Sequence, residues 1–354
     1  MKDSISVIIP CYNEEKHIER CLTSIIRQST GLKYSFDGTD RDKIEVICVD
    51  DASTDGTTAI LKDWEKRYPE NIRVIINERN NRQGAARNIG IQYASCEWIS
   101  FVDADDWLEP DFFEKLIKKS HDNTYDIVAC NYAEDTSAEL SYFEAGDMDG
   151  KGKDVFVTDD MVRKEVFREQ RFGKVYPSIV KRHFLTGHRI TFPERLMYED
   201  IYYKELLHME ISRGAIVNEK LYHFYVRPEE EKRVSDVMSY ADYLTIMMLL
   251  WKEWGRRGYF SKYENELTAE FIKVGYIGFL RMLFSRKDVL PYTYFLLIKE
   301  LVLTLTPAAD KKHYLKNSPY FTDFQKLWIS ALWRDVDRDD FDKIVEATIE
   351  AGGI

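Results

Sequence analysis

Five carboxylates stand within the eleven positions of FVDADDWLEPD (101–111), directly behind the apolar run WISF. Carboxylates packed this closely repel one another, so either a cation neutralises them or the segment is a solvated loop. The spacing does not suit a calcium loop of the EF-hand kind, which needs a central Gly and a Glu at its twelfth position. A hard cation held by one or two carboxylates and completed by diphosphate oxygens and water fits the stretch better. Three other clusters carry chemistry. In PCYNEE (10–15), Pro10 closes a strand and Tyr12 offers a ring on which a planar base could stack, while Asn13, Glu14 and Glu15 suit a helix start. In DDASTDGT (50–57), Asp51 could accept the imide N–H of a uracil; a plain turn with Ser53 and Asp55 as helix caps is equally consistent. In NRQGAARNIG (81–90), Gly84 marks a close approach, and Arg79, Arg82 and Arg87 either neutralise a pyrophosphate or form a solvated basic face.

The elements that must position these clusters are legible as a pattern. SVIIPC, EVICVD, RVIIN and WISFVD are continuous apolar runs bounded by polar residues, as in strands buried on both faces. Ile18, Leu22, Ile25 and Ile26 recur at helical spacing, and helices can follow Asp55 and Arg82. Strand–helix alternation implies an α/β fold with a mostly parallel central sheet flanked by helices, and ligands bind such sheets outside the carboxyl ends of the strands. The clusters above fall on that rim. A loop is expected over 29–43, a further strand at YDIVACNY (125–132), and a hairpin or excursion over 137–157. From VRPEEEKRVSD onward the pattern is helical, which divides the chain into an α/β domain at 1–235 and a helical C-terminal region at 236–354.

Bulk properties exclude several classes. The net charge of −11 argues against nucleic acid as a main partner. The five cysteines show no CxxC pair or metal-ligand spacing, so buried, reduced thiols in a cytoplasmic protein are expected. MKDSISVIIPCYNEE turns polar too soon for a signal peptide, and the longest apolar stretch, YTYFLLIKELVLTLT, is interrupted by Lys299 and Glu300.

The SVIIPCYNEE opening, the VDDASTD strand end, the RNIG helix and the DADD strand end, in this order, resemble glycosyltransferase family 2. The resemblance covers roughly residues 4–230 and is most specific over the first 115. It implies a GT-A fold and an inverting transfer from a nucleotide-diphosphate sugar, most simply a UDP-sugar, to a glycan or lipid-linked glycan in bacterial cell-surface polysaccharide synthesis. In that frame Tyr12 and Asp51 hold the uracil, with Pro10 and Glu14 shaping the pocket, and Gln83, Gly84 and Arg87 line the sugar-phosphate path. Asp103 faces the ribose or donor sugar, and Asp105 ligates Mn²⁺ or Mg²⁺. Asp106 is the other member of the pair, since the metal role in such sites can shift by one position. FPERLMYED (192–200) resembles the family segment whose final Asp is the catalytic base, which is Asp200, beside Glu199. Two acids in a helix's first turn are also simply favourable with the helix dipole. LYHFYVRPEEEKRVS departs from the family pattern in carrying Glu229–Glu231, leaving open the acceptor-side roles of His223, Arg227 and Arg233. An inward-facing strand histidine is the simpler reading of His223.

Two other functions compete. A sugar-1-phosphate nucleotidyltransferase would show a Gly-rich, basic signature after the first strand, which PCYNEEKH is not. A non-catalytic sugar-nucleotide-binding or partner subunit would not need intact metal and base candidates. The C-terminal helices either pack as a subdomain or rest peripherally on the inner membrane face through Lys252, Arg256 and Arg257 or Arg281, Arg286 and Lys287.

Overall fold

The first strand, β1 (Ile5–Cys11), is buried at all seven positions, as a strand covered by helices on both faces must be. Each of its Ile and Val side chains contributes on the order of 1.5–3 kcal/mol by leaving water. The computed structural model describes residues 4–29, 44–122, 124–137, 139–142, 153–169, 172, 175–228, 238–285, 292–306 and 321–350. The chain divides into two compact units, Met1–Asp236 and Val237–Ile354.

In the first unit, β1 pairs in parallel with β2 (Ile44–Asp50), β2 with β3 (Ile72–Ile76), and β1 on its other side with β4 (Trp98–Phe101). The intervening helices are α1 (Ile18–Ile26), α2 (Thr57–Arg67) and α3 (Arg82–Tyr93). α3 approaches β1 closely enough that a Cβ on Gly90 would lie 2.3 Å from Ile8 Cγ2, so the RNIG glycine serves helix-on-strand packing.

The remaining strands are β5 (Trp107–Leu108), β6 (Ile127–Asp135), β7 (Lys153–Phe156), β8 (Ser178–Lys181) and β9 (Arg213–Tyr225), with helices α4 (Phe112–Ser120), α5 (Asp160–Glu169), α6 (Arg182–Gly187) and α7 (Glu199–Glu210). They extend the sheet to the order β3-β2-β1-β4-β8-β6-β9-β5, with β7 also on β9. This half is mixed: β8 is antiparallel to both β4 and β6, while β6 and β9 are parallel. The described part of 137–157 contains β7, which pairs antiparallel with β9. Residues 30–43, Glu229–Glu231, Arg233, Arg286 and Lys287 lie outside the described residues. All five cysteines are buried and none is in a disulfide.

The described residues of the second unit are helical: α8 (Met238–Arg256), α9 (Phe260–Glu270), a π-helical turn (Phe271–Ile277), α10 (Gly278–Ser285), α11 (Tyr292–Leu305), α12 (Asp323–Leu332) and α13 (Arg338–Glu350). Their apolar stripes are used within the unit. Ile246, Met247, Leu250 and Trp254 of α8 and Phe295, Ile298 and Val302 of α11 are buried, and Trp328 donates to Thr348 Oγ1 at 3.1 Å. The π-helical turn is stitched to α8 by Tyr243, whose hydroxyl donates to the Val274 carbonyl at 2.6 Å. On α8, Arg256 and Arg257 both pair with Glu253, and their hydrogen bonds, with Arg256 foremost, hold its carboxyl down at about 2. That flank therefore presents less positive charge than its sequence suggests. No helix among the described residues is long and apolar enough to cross a membrane.

Candidate active site

The polar strand ends meet along one rim because β1, β2 and β4 are parallel and stop together. The turns after β1 and β2 are laced to each other. Asn13 takes a left-handed conformation (φ 55°), its N–H donates to Ser53 Oγ at 3.0 Å, and its Oδ1 accepts from the Thr54 N–H at 2.8 Å. Glu14 N–H donates to Thr57 Oγ1 at 2.7 Å, and Glu15 Oε2 accepts from the Gly56 N–H at 2.7 Å. The residues expected to cap helices thus also hold one strand-end turn against the next. Asp51, almost fully buried, accepts from Asn77 Nδ2 at 2.7 Å and from the Asn81 N–H at 2.9–3.0 Å, which fixes the start of α3. A carboxylate has about four acceptor positions, so capacity remains for a ligand N–H.

These turns open onto a cavity of about 730 Å³. Of the residues singled out from the sequence, Pro10, Tyr12, Glu14, Asp51, Gln83, Arg87, Asp103, Asp105 and Asp200 line it. Gly84 and Asp106 are not among its lining residues. A Cβ on Gly84 would lie 2.2 Å from the Pro193 carbonyl oxygen and 3.1 Å from Glu199 Cγ, so this glycine lets α3 pack under the strap leading into α7. Gly84→Ala is expected to cost roughly 1–3 kcal/mol, the scale of overpacking, read as a lower denaturation midpoint; an unchanged midpoint would contradict this packing role. Asp106 is buried behind the cavity, where Oδ2 accepts from the Tyr222 hydroxyl at 2.6 Å and Oδ1 from the Tyr225 N–H at 2.8 Å. Burial first, and then the charges of Asp105 and Asp103, push its carboxyl well up. Asp106 therefore anchors the acidic turn to β9 instead of facing a ligand.

Guanidinium groups answer part of the question the crowded acids raise. Arg87, buried, donates from Nη1 to Glu199 Oε1 at 2.5 Å and from Nη2 to Asp103 Oδ1 at 2.7 Å. Burial alone would lower its pKa; Asp103 and Glu199 outweigh that, and the net shift is upward. Arg87 is thus a bridge between the acidic turn and the head of α7, where a phosphate-path residue was expected. Arg227 does the same at the other side, donating to both oxygens of Glu14 at 2.7 Å and to Asp105 Oδ2 at 2.7–2.8 Å. Burial raises the Asp105 carboxyl, Arg227 opposes it, and Glu14 and Asp103 add to the rise. Arg227, an acceptor-side candidate in the sequence, stands beside the acids expected on the donor side.

The sequence offered no signal for Arg20. Its guanidinium lies 3.9 Å from the Trp107 ring centroid and 4.5 Å from that of Tyr225, and it donates to the carbonyls of Asp105 (2.7 Å) and Ser137 (2.6 Å). His223 is the inward-facing strand histidine expected: Nε2 is 2.7 Å from Glu109 Oε1, Nδ1 is 3.0 Å from Asp135 Oδ2, and the ring stacks on Trp107.

Asp200 is exposed to the cavity in the first turn of α7, next to buried Glu199. Burial raises the Glu199 carboxyl despite Arg87, and the Asp200 charge adds to the rise. Tyr198, which precedes the helix, is left-handed at φ 64°. This backbone turn sets Glu199 toward Arg87 and leaves its neighbour facing the cavity.

The sequence model of Glycosyl transferase family 2 matches residues 6–183. The chain belongs to glycosyltransferase family 2. Its relatives include Glycosyltransferase GlyA of Streptococcus pneumoniae, 29% identical over 66% of this chain and 32% of that protein. Poly(ribitol-phosphate) beta-N-acetylglucosaminyltransferase TarS of Staphylococcus aureus is 24% identical over 75% of this chain and 43% of that protein. The crystal structure of S. aureus TarS 1–349 in complex with UDP-GlcNAc superimposes with a TM-score of 0.68 at 19% identity, covering 99% of this chain and 92% of that one. The fold is therefore the GT-A type that the family resemblance implied. The chain spans 61%, 32% and 36% of three of the curated bacterial relatives it matches.

Proposed function

We propose that this family 2 chain is an inverting glycosyltransferase that moves a sugar from a UDP-sugar to a glycan or lipid-linked glycan hydroxyl in cell-surface polysaccharide synthesis. The observation that carries the reading is that one cavity is lined by the acidic turn after β4 and by Asp200, with Arg87 joining the two sides. Tyr12 and Asp51 bind the uracil, Pro10 and Glu14 shape its pocket, and Asp103 faces the ribose or donor sugar. Asp200 takes the proton from the acceptor hydroxyl, whose oxygen attacks the anomeric carbon as the bond to the diphosphate breaks. Arg87 and Glu199 hold that base at a set distance from the donor side. The relative TarS, a beta-N-acetylglucosaminyltransferase whose crystal structure holds UDP-GlcNAc, supports a UDP-sugar donor and inversion of an α-linked nucleotide sugar.

The lining residues fit a divalent cation. They include six carboxylates against three guanidinium groups, so a diphosphate entering the cavity meets net negative charge. Asp103 and Asp105 each engage an arginine through one oxygen, and their other oxygens carry no protein hydrogen bond among the described residues. Among the described residues no three His, Cys, Asp or Glu side chains form a metal cage. That suits Mg²⁺ or Mn²⁺, which takes one or two carboxylates and completes its shell with substrate phosphates and water. Asp105, with Asp103 beside it, would hold the ion, which when bound offsets charge on the departing diphosphate.

Asp105→Ala is expected to lose nearly all turnover and its share of Mn²⁺ affinity in direct titration, and EDTA is expected to mimic it in the wild type. Full activity in EDTA would sink the metal assignment. Release of UDP from a panel of UDP-sugars, with and without Mn²⁺, tests the function itself. If no nucleotide sugar is consumed under any condition, the reading fails.

A further inference from the structure

We infer that Arg195 is a positioning residue for the transfer: through Asn81 it fixes the strap that sets Asp200 against a donor whose nucleobase is held at Asp51. This rests on the transferase reading above and deepens it by naming a residue outside the cavity on which the place of the base depends.

The strap, residues 192–198, lies along α3 and leads into α7. Asn81, Gly84 and Asn88 are three and four positions apart, so they share one face of that helix. Asn88 holds Phe192 from both sides: its Oδ1 accepts from the Phe192 N–H at 2.9 Å, and its Nδ2 donates to the Phe192 carbonyl at 2.8 Å. The same Nδ2 donates to Glu194 Oε1 at 3.2 Å. Gly84 admits the Pro193 carbonyl. At the start of the helix, the Arg195 N–H donates to the Asn81 carbonyl at 3.0 Å and Arg195 Nε to Asn81 Oδ1 at 3.0 Å.

Asn81 joins two parts of the site. It is the N-cap of α3, a position where an Asn side chain ordinarily accepts from the first N–H groups of its own helix. Here it makes no such bond. Its Oδ1 goes to Arg195, while its N–H goes to Asp51. One residue thus touches the nucleobase acid through its amide and the strap through its carbonyl and side chain. Directly after Arg195 the chain turns into the cavity: Leu196, Met197, Tyr198, Glu199 and Asp200 line it, and Arg195 does not. Arg195 (φ 61°) and Tyr198 (φ 64°) are both left-handed, a conformation that a residue with a Cβ keeps only where its surroundings over-determine it. The bonds to Asn81 supply that at the first turn, and the Arg87–Glu199 pair follows the second. Asp200 lies five positions beyond Arg195, so slackening the first turn moves the carboxylate relative to the donor.

The test uses the full chain. Turnover is read as UDP release from whichever of UDP-glucose, UDP-galactose and UDP-N-acetylglucosamine the wild type consumes fastest, and UDP itself is the binding probe. Arg195→Met keeps the stem and removes the N–H. Its kcat per folded molecule should fall about ten- to a hundredfold, the upper figure being the scale of a misplacement near 1 Å, with UDP affinity unchanged. Arg195→Gln places Nε2 as many bonds from the backbone as the arginine Nε and should recover kcat. Arg195→Lys keeps the charge but carries its nitrogen one bond farther out, and should recover less. In an Asp200→Asn background, Arg195→Met should have no further effect on kcat, because the group it positions is gone. A Lys variant more active than Gln would overturn the proposal by making Arg195 a charge acting directly on the diphosphate. A loss of UDP affinity as large as the loss in kcat, or an undiminished effect in the Asp200→Asn background, would overturn it by making Arg195 a support of the nucleotide pocket. A wild type that consumes no UDP-sugar removes the transferase reading and this proposal together; an active wild type with an unimpaired Met variant removes only the latter.

Discussion

Replacing Asp200 by asparagine is expected to lower kcat by roughly 10²–10⁴, the range for loss of a general base, while UDP-sugar binding is retained. The amide is nearly isosteric but cannot take the acceptor's proton. Asp200 is the member of the Glu199–Asp200 pair that faces the cavity in the open, whereas Glu199 is buried and engaged by Arg87 at 2.5 Å. Glu199→Gln should therefore act through the position of α7 and lose less in kcat than Asp200→Asn. Steady-state kinetics with direct binding of UDP decide it. If Asp200→Asn transfers normally and Glu199→Gln is dead, the base has been assigned one residue off.

Arg87→Leu is expected to be the most damaging change to the fold of the first unit. It strands Asp103 and Glu199 without the cation that both face, and breaking a buried ion pair by removing one partner costs roughly 3–5 kcal/mol. Because the same guanidinium joins the acidic turn after β4 to the head of α7, turnover should fall by more than the loss of folded protein accounts for. Arg87→Lys keeps the charge as a single point and cannot serve two carboxylates in fixed geometry, so it should fall between wild type and Leu. Urea denaturation and activity per folded molecule are the measurements. A Leu variant with the wild-type midpoint would remove Arg87 as the link between the two sides.

What could be read from the chain, and what could not, separates by distance along it. β1 through β4 announce themselves because each is a short apolar run whose polar continuation falls on the rim, and the acids at those ends do gather around one cavity. The half of the sheet containing β8 and β9 was less legible, since it mixes parallel and antiparallel pairs and β5 is only two residues long. Arg227 was seen but not placed: it lies 213 positions from Glu14, and nothing local marks the pair. Arg20 was missed for the same reason, being a polar position on an amphipathic helix. Asp105 and Asp106 are the same residue type side by side. Only the bonds to Tyr222 and Tyr225 show that Asp106 is turned into the core. The crowding of acids demands a cation; Arg87, 16 positions from Asp103, and Arg227, 122 positions from Asp105, meet part of that demand, and the remaining negative charge is what a divalent cation would offset.

The transfer we propose is a single in-line displacement with Asp200 as base. The anomeric configuration of the product tests it most directly. With an α-linked UDP-sugar and a glycan acceptor that the wild type glycosylates, proton NMR of the purified product should show a β-linkage. An α-linked product would require two displacements or a front-side route and would contradict the account.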